Sequence, residues 1–133
     1  MIDHVTVPVT DFERALRAYQ IALAPLGYEL VMSLSQDELP SLPAPRMAGL
    51  GVGGKPDLWL RQATGPVTPI HVAVRAPSRA AVDAFYAAAF TAGLRDHGPP
   101  GLRRHYHPDY YAAFVLDADD HNLEAVHHGD GAA

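Results

Sequence analysis

Two stretches of the chain, one near the N-terminus and one in the middle, repeat the same pattern. IDHVTVPVTDFERALRAYQIA begins at Ile2, and PIHVAVRAPSRAAVDAFYAAA begins at Pro69. When His4 is aligned with His71, both stretches read His-Val-x-Val, then a turn, then an amphipathic segment. Self-similarity of this kind indicates one supersecondary unit that the chain uses twice.

Each unit reads as a strand, a helix and three further strands. Alternating apolar residues open the unit, and apolar spacing near 3.6 residues then predicts a helix. Thr10 and Glu13 predict a capping box at the start of the first helix, and Ser78 is the predicted N-cap of the second. Short apolar runs predict the remaining strands, at about 28–34, 47–52 and 58–62, and then at 94–97, 111–116 and 122–127.

The order βαβββ, present twice, predicts an α+β fold in which the helices cover a sheet. We expect a single domain over residues 1–133, with module one at about 1–64 and module two at about 68–128. Two polar, Pro-rich segments, at 35–46 and 97–110, are predicted to be long loops. Long loops on a small sheet scaffold often carry functional residues.

Composition restricts the partners of the chain. The net charge is −5 and the 10 Lys and Arg residues are scattered, which disfavours nucleic acid and an anionic membrane surface. A small neutral, cationic or metal-bound ligand fits better. There is no cysteine, so disulfides and a thiol nucleophile are excluded. We expect a cytoplasmic protein, because the N-terminus has no signal-peptide pattern and no run approaches about 20 apolar residues.

The repeat pairs four positions that could converge in the concavity of a curved sheet. His4 corresponds to His71, and Trp59 corresponds to Glu124 in the last strand of each unit. Two histidines and a carboxylate form a set that binds divalent Fe, Mn, Co, Ni or Zn and leaves coordination positions open for substrate. Tryptophan is not a ligand. The alternative is that these are polar pocket-lining residues that hold no metal.

Aromatic and histidine side chains supply further candidates in the second half. His105, His107, Tyr110 and Tyr111 lie in or at the end of the second predicted loop, where they could act as an acid, a base or a substrate contact. His107 and Tyr110 are the main catalytic candidates, and the sequence does not choose between them.

The chain resembles the vicinal oxygen chelate superfamily, which includes glyoxalase I, extradiol dioxygenases, and fosfomycin-resistance and bleomycin-binding proteins. The resemblance rests on the segment from Ile2 to Leu30, on IHVAV from Ile70 and on AFVLDADDHNLEAVHH from Ala113. It implies a U-shaped mixed sheet formed by the two modules, with the helices packed on the outside. It also implies metal ligands at the positions of His4, His71 and Glu124.

Departures from the family pattern limit what the resemblance implies about activity. Trp59 stands where glyoxalase I and the epimerases usually have Glu or Gln, which favours a three-ligand site. Thr6 and Trp59 resemble residues of the fosfomycin-resistance group, whose C-terminal basic segment this chain lacks. The superfamily spans lyases, dioxygenases, transferases and binding proteins, so the reaction stays open.

Two functional hypotheses follow. The first is a metal-dependent enzyme whose divalent ion chelates vicinal oxygens of a small substrate, with Thr6 and Trp59 in the pocket wall. The second is a metal-free binding protein of the bleomycin-resistance type, whose concavity is lined by Trp59, Tyr111 and Phe114. We expect a homodimer, because short members of this family commonly associate, and the modules could pair within a chain or between chains.

Overall fold

The computed structural model describes residues 1–130. Its first half contains strand β1 (Val5–Val9), helix α1 (Phe12–Leu23), a short 3-10 helix (Ala24–Leu26) and strands β2 (Glu29–Ser35), β3 (Arg46–Val52) and β4 (Lys55–Gln62). Its second half contains strand β5 (His71–Arg75), helix α2 (Arg79–Thr91) and strands β6 (Arg95–Leu102), β7 (Tyr111–Leu116) and β8 (Asn122–His127).

The strands form two four-stranded sheets, one from each half of the chain. The first has the order β1-β4-β3-β2 and the second has the order β5-β8-β7-β6. In each sheet the first strand pairs in parallel with the last, and the other pairs are antiparallel. The two βαβββ modules and the α+β class are therefore confirmed. Each module leaves its first strand at a sheet edge.

Each helix packs its apolar face against its own sheet, and α1 also contacts α2. Strand alternation sends every second side chain toward the helices, as with Leu58 and Leu60 in β4. The apolar face of α1 is buried, whereas Phe90 of α2 is 48% exposed. The core between helices and sheets includes Val7, Val9, Phe12, Leu16, Tyr19, Leu23, Leu50, Val74, Val82, Phe85, Ala89, Val115 and Leu123.

Helix α1 begins differently from the prediction. Its N-cap is Asp11, whose side chain accepts a hydrogen bond from the backbone N–H of Arg14 at 3.2 Å. The predicted capping box at Thr10 and Glu13 is wrong, because Asp11 takes the N-cap position and the Thr10 N–H that Glu13 would accept from is used elsewhere. The backbone N–H and the hydroxyl of Thr10 donate to the carboxylate of Asp119, at 3.0 and 2.7 Å. At α2 the predicted N-cap Ser78 is confirmed, since its Oγ accepts from the N–H of Ala81.

The second predicted loop is shorter than expected. Strand β6 continues to Leu102 and takes in Gly98, Pro99, Pro100 and Gly101, which the sequence assigned to the loop. Its pairing with β7 shifts register between Asp96 and Gly98 and again between Gly98 and Gly101. Bulges of this kind let a strand contain residues that a regular ladder excludes.

A hydrogen-bonded turn between β7 and β8 joins the two modules, and we call residues 117–121 the clasp. Asp117 is 3% exposed and accepts from the Tyr19 hydroxyl of α1 at 2.6 Å. His121 is 1% exposed, accepts from the N–H of Ile70 and donates to the carbonyl of Pro8 in β1. The clasp therefore fixes β1 and α1 of one module to the start of the other.

The buried tyrosine of this clasp predicts a loss of stability at high pH. Burial and the adjacent Asp117 carboxylate raise the pKa of Tyr19. The folded protein therefore keeps this proton above pH 10, where an unfolded chain releases it. We expect the free energy of unfolding to be insensitive to this group below about pH 10 and to fall above it by about 1.4 kcal/mol per pH unit. Urea unfolding between pH 8 and 11 measures this slope.

Tyr19→Phe removes the titrating group and keeps the ring, so the variant should lose less stability than the wild type between pH 10 and 11. Tyr28 and Tyr110 also have pKa values raised above the usual range, chiefly by burial, so some slope should remain in the variant. Equal slopes for the two proteins would contradict the prediction.

Candidate functional site

The second sheet places a buried carboxylate on the face that lies away from the helices. Glu124 in β8 lies opposite Ala73 of β5 and Phe114 of β7, and it is only 1% exposed. Its Oε1 lies 2.8 Å from Nε2 of His71, and its Oε2 accepts a hydrogen bond from the hydroxyl of Tyr110. Of the three candidate ligands, His71 and Glu124 are therefore brought together.

Tyr110 closes the site from the loop between β6 and β7. The loop is held by a hydrogen bond from the Arg103 N–H to the Tyr110 carbonyl at 2.7 Å. Burial, followed by the contact with the Glu124 carboxylate, raises the pKa of the Tyr110 hydroxyl above its ordinary value. Tyr110 therefore keeps its proton, and its hydroxyl acts as a hydrogen-bond donor to Glu124.

A pair of histidines supports the Tyr110 ring. Nδ1 of His107 accepts from the backbone N–H of Asp109, so the proton of a neutral His107 lies on Nε2, which contacts Nδ1 of His128 at 2.9 Å. Both imidazoles pack edge-on against Tyr110 with ring centroids 5.3 Å away. Burial, and then the neighbouring His107 and Arg75, lower the pKa of His128. His107 thus positions Tyr110 and does not contact Glu124 directly.

His4 lies apart from this group. It precedes β1, its side chain is 52% exposed, and its Nδ1 contacts Asp3 at 2.7 Å. The groove around His4 is lined by residues 72–75 of β5 and not by His71, which lines a different cavity. Among residues 1–130, the ligand atoms of His4, His71 and Glu124 do not form a group within 4.8 Å of one another. One chain therefore does not bring His4 to His71 and Glu124.

The predicted pocket residues lie in both sheets, with Thr6 and Trp59 in the first and Tyr111 and Phe114 in the second. Thr6 pairs with Trp59, which pairs with Gly49, in the same way that Ala73 pairs with Glu124 and Glu124 with Phe114. Trp59 therefore occupies the position in the first sheet that Glu124 occupies in the second, as the repeat predicts. A Cβ at Gly49 would lie 2.9 Å from the indole ring, so this glycine makes room for Trp59.

Tyr111 lies on the opposite side of its sheet from Phe114. Its hydroxyl donates to Asp83 of α2 at 2.6 Å, and the guanidinium of Arg79 lies over its ring. The expectation that Tyr111 and Phe114 share one concavity overlooked the period of two along a strand, which sends residues three apart to opposite faces. Phe114 lines the His71 cavity and Tyr111 faces the helix.

The clasp contains the one group of three ligand-type residues within residues 1–130 whose ligand atoms all lie within 4.8 Å of one another, namely Asp117, Asp119 and His121. Each of these atoms already has a hydrogen-bond partner in the protein. His121 is fixed through both ring nitrogens, since Nδ1 accepts from an N–H and Nε2 donates to a carbonyl. The arrangement fits a structural network better than a cation site.

Sequence reasoning missed two features near the site. The clasp was not predicted. Arg103, which lines the His71 cavity with His97, Gly98, Tyr106, Phe114 and Asn122, was not considered. The signal for Arg103 was the Gly-Pro-Pro-Gly segment just before it, an unusual composition for a strand. The cavity has a volume of about 320 Å³.

No protein-family model and no curated protein matches the chain. Within residues 1–130, none of the helices combines the length and the apolar character needed to cross a membrane. Similarity is found instead among solved structures.

A glyoxalase/bleomycin resistance protein from Albidiferax ferrireducens is 23% identical with a TM-score of 0.77, and the match covers 94% of this chain and 97% of that one. A putative glyoxalase from Bacillus halodurans is 25% identical with a TM-score of 0.67, covering 96% and 95%. A variant of the fosfomycin resistance protein FosX from Listeria monocytogenes, complexed with Mn(II) and 1S,2S-dihydroxypropylphosphonic acid, is 18% identical with a TM-score of 0.66, covering 95% and 90%. The chain therefore has the fold of the vicinal oxygen chelate superfamily, as the resemblance of its sequence implies.

Proposed function

We propose that the protein is a metal-dependent enzyme acting on a small molecule, and that a divalent ion is held by His71 and Glu124 of one chain and His4 of a second copy. The observation that carries the proposal is the buried Glu124 carboxylate in contact with the half-exposed imidazole of His71, which lines a cavity. A carboxylate on an open sheet face has little reason to be buried unless it has a partner there.

The spacing of these two groups suits an ion. Metal bonds to imidazole nitrogen and carboxylate oxygen are about 2.0–2.2 Å long, so one ion could contact two donor atoms about 3 Å apart. Nε2 of His71 and Oε1 of Glu124 are separated by 2.8 Å. Two imidazoles and one carboxylate favour Mn, Fe, Co, Ni or Zn over calcium and magnesium, which prefer more oxygen ligands.

The third ligand is expected from a second copy because of how the modules lie within one chain. The clasp and the helix contacts hold the modules together while His4 and His71 line different cavities. In addition, β1 and β5 each have one edge that no strand within residues 1–130 pairs with. A homodimer in which module one of each copy faces module two of the other would bring three ligands to each of two equivalent sites.

The residues of the chain would have distinct parts in the reaction. An ion bound at this site supplies a Lewis acid for vicinal oxygens of the substrate and stabilises developing negative charge on them. Tyr110 places its hydroxyl next to Glu124, so it is the proton-bearing side chain in contact with the proposed ligand. His107 and His128 orient its ring, and Phe114 gives the cavity an apolar wall.

Complementation between two inactive variants tests whether the site is shared. His4→Ala and Glu124→Gln should each lose metal binding. When the two are unfolded together and refolded, half of the dimers should be mixed, and each mixed dimer has one site with all three ligands. About a quarter of the wild-type metal content should return. Elemental analysis after gel filtration, with manganese or zinc supplied, measures it.

The control is the pair Glu124→Gln and His71→Ala, which lie in the same module and cannot complement each other. Recovery in this control, or no recovery in the first mixture while the wild type binds metal, would contradict the shared site. A wild type that binds none of the five ions would contradict metal dependence.

A metal-free binding protein of the bleomycin-resistance type is the second candidate. It is favoured by the fact that both oxygens of Glu124 already have partners within the chain. The cavity would then bind a planar ligand against Phe114 and Tyr106. Ligand binding that is unchanged by chelators and by Glu124→Gln would support this candidate.

A further inference from the structure

Arg103 is held in a cradle made by the bulged end of strand β6. Its Nη2 donates to the carbonyl of Pro99 at 2.7 Å, and its Nη1 donates to the carbonyl of Gly101 at 2.9 Å. The guanidinium carbon also lies 5.3 Å from the centre of the Phe114 ring. The guanidinium is therefore fixed in orientation by two main-chain acceptors and one aromatic ring.

The two glycines of the segment make room for this side chain. A Cβ on Gly98 would lie 3.1 Å from Nη2 of Arg103 and 3.0 Å from the Phe114 ring, and Gly98 has a positive φ of 147°. A Cβ on Gly101 would lie 3.2 Å from Nη1. All three distances are shorter than ordinary van der Waals contact. Gly98 and Gly101 thus let the guanidinium lie close against the strand backbone.

The charge of Arg103 has no acidic partner among residues 1–130. Arg46 and Arg95, by contrast, form ion pairs with Glu13 and Asp120. Only two of the five N–H donors of a guanidinium are used in the cradle, so three stay free. A half-buried, oriented cation with free donors is suited to binding an anion.

The surroundings of Arg103 favour an anion in the cavity beside it. Arg103, His71 and His97 line the same cavity, and no aspartate or glutamate lines it. Phe114 and Tyr106 contribute aromatic surface. A guanidinium matches a planar carboxylate with two parallel hydrogen bonds, whereas the ring surfaces suit a flat apolar body.

We propose that Arg103 binds the carboxylate of an aromatic carboxylic acid, whose other end lies toward His71 and Glu124. This inference names the substrate class of the proposed enzyme, and the claim that the acid is a substrate rests on the proposed function. Binding of the carboxylate itself depends on Arg103 and not on the ion. Gly98 and Gly101 act as positioning residues, since they reach the ligand only through Arg103.

Binding of benzoate to the metal-free protein tests the proposal, with benzamide as the neutral probe of the same shape and methylphosphonate as a tetrahedral anion. We expect benzoate to bind by calorimetry and to raise the melting temperature, and the other two to bind more weakly. Arg103→Gln should weaken benzoate binding about 10- to 100-fold, since a hydrogen bond to a charged group is lost. The matched control Arg104→Gln, one residue on and exposed, should bind as the wild type does.

Gly101→Ala tests the cradle without removing the charge. The added methyl group meets the flexible end of Arg103, so the fold should persist while benzoate affinity falls several-fold. Three results would each overturn the inference. The first is that Arg103→Gln binds benzoate within twofold of the wild type, and the second is that benzamide binds as well as benzoate. The third is that benzoate does not bind at 10 mM, which is about ten times a weak Kd of 1 mM.

Metal binding by the same variants tests the proposed function independently of benzoate binding. Zinc and manganese binding should be unaffected by Arg103→Gln and lost in Glu124→Gln. If no metal binds while benzoate binding depends on Arg103, the inference stands and the metal-dependent function fails. If metal binds through Glu124 but benzoate does not bind, the reverse holds.

Discussion

Glu124→Gln is expected to lower the affinity for manganese or zinc by about 100-fold or more. Changing a residue that only hydrogen-bonds to a metal ligand typically lowers metal affinity about 10- to 100-fold, and removing the ligand itself should cost more. The amide keeps the shape of the side chain but removes the only negative charge of the proposed ligand set. The fold should persist, because a glutamine can still accept from Tyr110 and contact His71. Metal titration followed by calorimetry measures the loss, and thermal unfolding without metal checks the fold.

Glu29→Gln is the matched control, since Glu29 is an exposed glutamate of β2 in the other sheet. It changes the net charge by the same amount and should bind metal as the wild type does. If Glu124→Gln and Glu29→Gln bind metal equally, the buried carboxylate is not a ligand and the metal-free binding protein becomes the better explanation.

Asp117→Ala is expected to cause the largest loss of stability of any single change considered. Its carboxylate accepts from the Tyr19 hydroxyl and from the N–H groups of Asp119 and His121. Alanine leaves these donors, two of them buried and one partly buried, without an acceptor, which should cost about 3 kcal/mol or more. The melting temperature should fall by roughly 10 °C or more, which differential scanning calorimetry measures.

Two further variants serve as comparisons for Asp117→Ala. Tyr19→Phe removes one of the three donors and should cost about 1–2 kcal/mol. Asp37→Ala, in the exposed loop between β2 and β3, should change stability by less than about 0.5 kcal/mol. Equal melting temperatures for Asp117→Ala and Asp37→Ala would mean that the clasp does not hold the modules together.

The two modules share a fold but have diverged in chemistry. Corresponding positions hold Trp59 in one sheet and Glu124 in the other, and Thr6 in one and Ala73 in the other. The first sheet thus presents an aromatic surface and the second presents the buried carboxylate and the Arg103 cradle. If the sheets of two copies face each other, as proposed, each site combines one face of either kind.

The βαβββ order, both helices and most strand positions could be predicted from the sequence alone. They depend on local periodicity, and the repeat gave two independent examples of the same pattern. The equivalence of Trp59 with Glu124 was also predictable, because strand register follows from the alternation of buried residues. The ends of β6 were not, since glycines and prolines in a bulged strand read as a loop.

Contacts between residues far apart in the chain were decided only by the tertiary structure. The sequence placed a capping box at Thr10, but an aspartate 109 positions later takes both of its donors. It paired His4 with His71 by repeat symmetry, whereas the packing of the modules sends them to different cavities. It passed over Arg103, whose role depends on carbonyl groups and a ring that fold around it. Periodicity reports which face of an element is buried, but only the packing of distant elements sets which side chains meet there.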